Sequence, residues 1–217
     1  MPPRQPSDSR RHSPDDSFRH VPTEGSIRLP DGQRAAAIPV EFIHGLHASL
    51  AQELGESAPR TLYACGYEWA LQAMIRLTQR LREESGGGTK PDLWQMDARL
   101  VLDRWWAPLN AAGWGAWTLD LTAHAKGLTF VEVQNSAVVA EPAQHKPVKP
   151  VCHLYAGLFA GALSFFGRGE SHAVEIQCAA LGHPSCRFVI GPGAQIDAVE
   201  SWRQQGVSVG EIHRRLT

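Results

Sequence analysis

The chain has 217 residues, 43% of them apolar, and a formal net charge of −1. That is apolar material enough for one domain with a real core, and the near-neutral charge gives no reason to expect a polyanionic partner. No apolar run approaches the ~18 residues of a membrane-crossing helix. Residues 1–20, MPPRQPSDSRRHSPDDSFRH, lack the hydrophobic stretch of a secretion signal. The expectation is a cytoplasmic protein whose four cysteines are thiols or ligands rather than disulfides.

Residues 1–36 are rich in Pro, Ser, Arg and Asp and read as a disordered tail. IPVEFIHGLHASLAQELG predicts a helix over Val40–Leu54, stopped by Gly55. APRTLYACGYEWALQAMIRLTQRLREE is the strongest helical segment. Leu62, Cys65, Trp69, Ala73, Leu77 and Leu81 form its apolar stripe, which makes Cys65 a small core residue. SGGGTKPD ends it. A third helix is expected from about Leu93 to Ala111, breaking near Pro108.

The period then changes to two. In GAWTLDLT, Trp117, Leu119 and Leu121 alternate with polar residues, and LTFVEVQ follows after a turn, so the pair reads as a hairpin. AEPAQHKPVKP is a proline-rich loop. VCHLYAGLFAGALSFFG predicts a fourth helix. Its small face, Ala156, Gly157, Ala160 and Gly161, is expected to pack closely on the sheet, with a ligand or a partner helix as the alternative. HAVEIQC and SCRFVIG form a second hairpin. One or two surface helices follow Pro192, making residues 193–217 a C-terminal helical extension. The order implies an α+β domain with an antiparallel sheet of hairpins packed against helices.

Cys178 and Cys186 flank the short turn of that second hairpin, where a metal would pinch it shut. Cys152 opens the fourth helix, a position that favours a thiolate, and is the natural third ligand. Glu175 is the natural fourth, giving three sulfurs and one oxygen around Zn²⁺; His153, His172 and His183 compete for that place. Glu175 and Cys178 differ by three positions, so a regular strand puts them on opposite faces. They share a metal only if the strand bulges or ends between them. The competing reading is a hairpin whose thiols are ordinary core residues.

LYACGYEWA, LNAAGWGAWTLDLT, FVEVQNS, PVCHLYAGLFAGAL and VEIQCAALGHPSCRFVIG occur in the order found in the 4-vinyl-reductase domain family, and the chain resembles that family over about residues 38–192. The family includes sensor domains of phenol- and xylene-responsive activators and stand-alone proteins linked to bacteriochlorophyll synthesis. It shares its fold with subunits of vesicle-tethering complexes. The resemblance implies a bacterial ligand-binding protein, usually a homodimer, with structural zinc on Cys152, Glu175, Cys178 and Cys186 and an aromatic-lined pocket beside it. No ATPase or helix-turn-helix segment follows in these residues, so transcriptional activation of the regulators' kind is not expected of this chain by itself.

Four protein ligands would close a zinc site to substrate, and no Gly-rich dinucleotide fingerprint is present. The leading expectation is therefore a non-enzymatic module that binds or senses a hydrophobic or aromatic molecule. Trp105, Trp106, Trp117, Phe130, Tyr155 and Phe159 are the candidate lining; the plain alternative is that they are core. A second reading is a tetrapyrrole carrier or accessory factor using His124, His145 or His153. A third is a ligand-free adaptor or assembly protein, with EIHRRL and RQPSDSRRH as partner segments or simply solvated.

Overall fold

The computed structural model describes residues 18–29, 32–84, 97–139, 147, 149–166 and 169–217. The SGGGTKPD break, the expected first turn of the third helix at 93–96, and most of the proline-rich loop including His145 lie outside them. The chain divides into two compact units, Met1–Ala37 and Ile38–Thr217.

In the first unit, β1 (Arg19–Val21), β2 (Ser26–Arg28) and β3 (Arg34–Ala35) form an antiparallel sheet. Of the tail expected to be disordered through residue 36, residues 1–17, with RQPSDSRRH, lie outside the described residues, while Arg19–Val21, Ser26–Arg28 and Arg34–Ala35 form a small meander. Composition misses it because the ladder is held by main-chain pairing. The turns are made by Gly25 and Gly32 at φ 58° and 80°, a left-handed backbone that glycine adopts without strain.

The second unit begins with α1 (Val40–Leu54), ended by Gly55 as the sequence predicts. α2 (Ala58–Glu84) is the longest helix of the chain, and α3 (Ala98–Ala111) follows, its start capped by the Asp97 side chain on the Arg99 amide. α3 runs through Pro108 rather than breaking there. Proline in the last turn removes one hydrogen bond, while the Pro108 carbonyl still accepts from the Ala112 amide at 2.9 Å.

β4 (Ala116–Asp120), β5 (Thr129–Gln134), β6 (Ser171–Gln177) and β7 (Cys186–Pro192) build a four-stranded antiparallel sheet in the order β4-β5-β7-β6. Both expected hairpins are present. Alternation divides the faces. Trp117, Leu119, Val131, Val133, Phe188 and Ile190 join the core made with α2, α3 and α4 (His153–Phe166). Phe130, Ile176 and Val189 join a second core with α5 (Gly193–Gln204) and α6 (Val209–Leu216). These last two helices are therefore more than surface decoration: Val199 and Ile212 are fully buried. Within EIHRRL, His213 stacks on Phe130 and Arg215 lies over Trp202.

The small face of α4 meets α2, not the sheet. A Cβ on Gly157 would lie 1.9 Å from the Tyr63 carbonyl oxygen, and one on Gly161 2.4 Å from that of Tyr67. Reciprocally, a Cβ on Gly66 would lie 2.0 Å from the Leu154 oxygen. The two helices touch backbone to backbone. Leu62, Leu77 and Leu81 of the expected stripe are buried, but between them Gly66, Ala70 and Met74 turn inward in place of Cys65, Trp69 and Ala73, and Cys65 is exposed.

Candidate metal centre and aromatic chamber

The strand condition set by the sequence is met in β6. Glu175 pairs with Phe188 and the next paired residue is Gln177, opposite Arg187, so Ile176 is the extra residue of a bulge. Ile176 points into the α5–α6 core, whereas Glu175 and Cys178 both turn to the α4 side. Cys186 opens β7, aligned by pairing with Val133. Cys152 immediately precedes α4.

One ligand atom from each of Cys152, Glu175, Cys178 and Cys186 lies within 4.8 Å of the others, and all four residues are buried. The histidines 153, 172 and 183 do not join this group. The Cys152 and Cys186 sulfurs are 3.5 Å apart; a tetrahedral ion with metal–sulfur bonds of about 2.3 Å would hold them about 3.8 Å apart. The Cys152 amide donates to Glu175 Oε2 at 2.9 Å. Glu175 Oε1 is buried and, among the described residues, has no hydrogen-bond partner. A buried carboxylate oxygen without a donor is costly, and a cation among three sulfurs would satisfy it. The cluster could hold a metal ion, and its donor set fits one.

The electrostatics lead to the same point. Four acidic groups in a dry space cannot all ionise unaided. Hydrogen bonds from Cys152 and Cys186 hold the Cys178 thiol far below the ordinary range. The counterpart is Cys152, pushed up by its bonds to Cys178 and Cys186 and by burial. At Cys186 the bond with Cys152 pulls downward, but donation to Cys178 and burial outweigh it and the thiol is raised. Burial, then the adjacent Cys178, pushes the Glu175 carboxyl up to about 8. The metal-free cluster thus keeps protons on its raised groups, Cys152, Cys186 and Glu175, at neutral pH. Raised groups keep their protons until a metal displaces them, so acid opposes metal binding and alkali favours it. Metal uptake at pH 7 is expected to release about three protons per ion, read as the acidification of a weakly buffered indicator solution.

Five of the six aromatic residues named from sequence gather beside this cluster. Trp117 packs against Trp105, Trp106, Tyr155 and Phe159, with ring centroids 5.1–6.2 Å apart. Phe130 is not among them. It faces the opposite side of the sheet, because neighbouring residues of β5 alternate and Val131 takes the chamber side. Leu102, Trp105 and Trp106 of α3, Leu119 and Val131 of the sheet, and Phe159 of α4 border a void of about 10 Å³, at the threshold for one water molecule. The Trp117 indole nitrogen is buried without a hydrogen-bond partner among the described residues. Sequence reasoning missed Ser136, whose Oγ lies 4.0 Å from Cys152 Sγ; the Asn135-Ser136 pair closing β5 was its only signal.

Residues 129–192 match the V4R domain, a stretch that contains all four clustered ligands. This is the resemblance read from the motifs. The phenol-responsive sensory domain of the transcription activator PoxR, solved with phenol, is similar in fold, with a TM-score of 0.58 at 21% identity over 86% of this chain and 87% of that one. A vinyl-4-reductase family protein from Methanocaldococcus jannaschii follows, with a TM-score of 0.46 at 17% identity over 72% and 82%. Trafficking protein particle complex subunit 3 from Naegleria fowleri gives 0.48 at 11% over 70% and 93%. No curated protein matches the chain. Trp105, Trp106 and Trp117 lie before the matched V4R stretch, and α5 and α6 lie after it.

Proposed function

We propose that this protein is a non-enzymatic sensing module for a small aromatic molecule, in which a structural zinc ion on Cys152, Glu175, Cys178 and Cys186 fixes one wall of the ligand chamber. Thiolate-rich tetrahedral donor sets suit zinc, and four protein ligands leave no open position for catalysis. The observation that carries the ligand reading is the buried, unpartnered Trp117 indole N–H among aromatic rings. It is a donor for an oxygen on an otherwise apolar ligand. Fold similarity to a domain solved with phenol supports the same class of ligand.

The void is far smaller than an aromatic ring, so binding must widen it. α3 is the element that yields. Among the described residues its polar ties include Arg99 to the Leu119 carbonyl at 3.2 Å and an exposed Arg104–Glu84 pair at 3.0 Å, and an exposed pair contributes little. Phenol titrated into the protein is expected to change tryptophan fluorescence saturably. Trp117→Phe should weaken binding about tenfold, the loss of one buried hydrogen bond, with the circular dichroism unchanged. No saturable response to phenol or its alkyl derivatives would sink the proposal.

One observation favours the adaptor reading as the runner-up. α1 buries only Ile43, while Phe42, Leu46 and Leu54 are 41–59% exposed, an apolar row at helical spacing. In the sensing protein this row is the proposed homodimer face, and Leu46→Glu should then yield a monomer by light scattering. A tetrapyrrole would require a far wider opening than the α3 recess.

A further inference from the structure

We infer that Ser136 is a positioning residue of the metal centre, its hydroxyl the outer donor to the Cys152 sulfur. The inference rests on the metal reading above and assigns a role to a residue outside the ligand set.

Ser136 is placed by a sharp change of direction. β5 ends at Gln134, and Asn135 takes φ 52°, the left-handed region that asparagine tolerates better than most residues. The chain turns inward and Ser136 becomes 9% exposed. The next residue is held on both sides: the Ala137 amide donates to the Trp114 carbonyl at 3.4 Å, and its carbonyl meets His44 Nε2 at 3.1 Å.

The serine's hydrogen-bonding capacity is then nearly determined. The Val138 amide donates to Ser136 Oγ at 3.3 Å, which occupies a lone pair and leaves the O–H to be given away. The acceptor in reach is Cys152 Sγ, 4.0 Å away.

The three sulfurs differ in what supports them. Cys186 receives the Ala179 amide at 3.3 Å and Cys178 the Val151 amide. Both donors are backbone and survive any side-chain substitution. For Cys152 the corresponding donor is the Ser136 hydroxyl. Outer donors of this kind orient a metal's ligands and tune their basicity.

A metal-bound thiolate is a stronger acceptor than a neutral sulfur, so the Ser136 hydroxyl would hold the Cys152 ligand in place once a metal is bound.

The test uses Co²⁺ as a spectroscopic probe on the full chain, with affinity from competition against a chromophoric chelator. Ser136→Ala is expected to bind Co²⁺ about tenfold or more weakly and to shift the sulfur-to-cobalt charge-transfer band. Ser136→Thr should restore both, which a merely space-filling role would not require. Unchanged affinity and band in Ser136→Ala would overturn this inference alone. Unmodified protein that takes up no cobalt would overturn the metal reading and this inference with it.

Discussion

Gly157→Ala is expected to cost about 3 kcal/mol or more and to prevent a stable native state at ordinary temperature. The added methyl would sit 1.9 Å from the Tyr63 carbonyl oxygen, and Tyr63 Cα and carbonyl carbon are within 3.0 Å as well. Overpacking usually costs 1–3 kcal/mol because side chains can shift. Here the obstacle is main chain in the middle of α2, and relief requires separating two helices that form the centre of the principal core. Gly210→Ala in α6 is the matched control. Nothing lies within 4 Å of its Cβ position, so it should be neutral or stabilising by up to about 1 kcal/mol. Urea denaturation of both variants, followed by circular dichroism, decides the matter. A Gly157→Ala protein as stable as the parent would mean that α2 and α4 do not meet as described.

Cys178→Ser and Cys186→Ser carry the second large effect. A serine hydroxyl is a far poorer anion than a thiol and does not replace a zinc thiolate. Each variant is expected to lose its metal and, with it, the stabilisation that binding adds to folding. At a free metal concentration a thousandfold above the dissociation constant that is about 4 kcal/mol, or roughly 10 °C in Tm for a domain of this size. Cys65→Ser should retain one zinc per chain and the parental Tm, since Cys65 is exposed on α2. Metal analysis and thermal melts with and without chelator give the answer. Full zinc content in both hairpin variants would remove the assignment.

The hairpins and helices were legible because each has its own period and its own stops. Trp117 and Leu119 alternate, and Gly55 ends α1 where a left-handed residue was expected. The buried cluster of Cys152, Glu175, Cys178 and Cys186 was legible too, since a hairpin with a cysteine at each shoulder limits where the other two can stand. What the sequence hid depends on partners distant along the chain. Cys65 lies on a plausible stripe, but the contact of Gly66 with Leu154 turns Gly66 inward in its place. Phe130 and Val131 are both large and apolar, and which one faces the chamber is settled by α5 and α6 covering the back of the sheet. Ser136 has no periodic signal, because its role comes from a backbone reversal at Asn135. The strands at 19–35 were invisible to composition for a related reason: main-chain pairing leaves little mark on residue type.

The bulge at Ile176 says where this chain tolerates a change of length. Removing one residue between Glu175 and Cys178 would give β6 a regular ladder and, with the two then two positions apart, would leave the carboxylate and the thiol on one face. Length and bulge must change together: an added residue that keeps the bulge, or a lost bulge that keeps the length, puts the two on opposite faces. The turn from Ala179 to Ser185 is under no such constraint. Cys186 is held at its shoulder by strand pairing, and Gly182 between the two cysteines stands in open space. Homologous hairpins should therefore vary in the number of residues between the two cysteines while keeping the glutamate and the first cysteine in phase, as Glu-x-x-Cys with the bulge or Glu-x-Cys without it, and a reporter peptide is better inserted beside Gly182 than anywhere within β6.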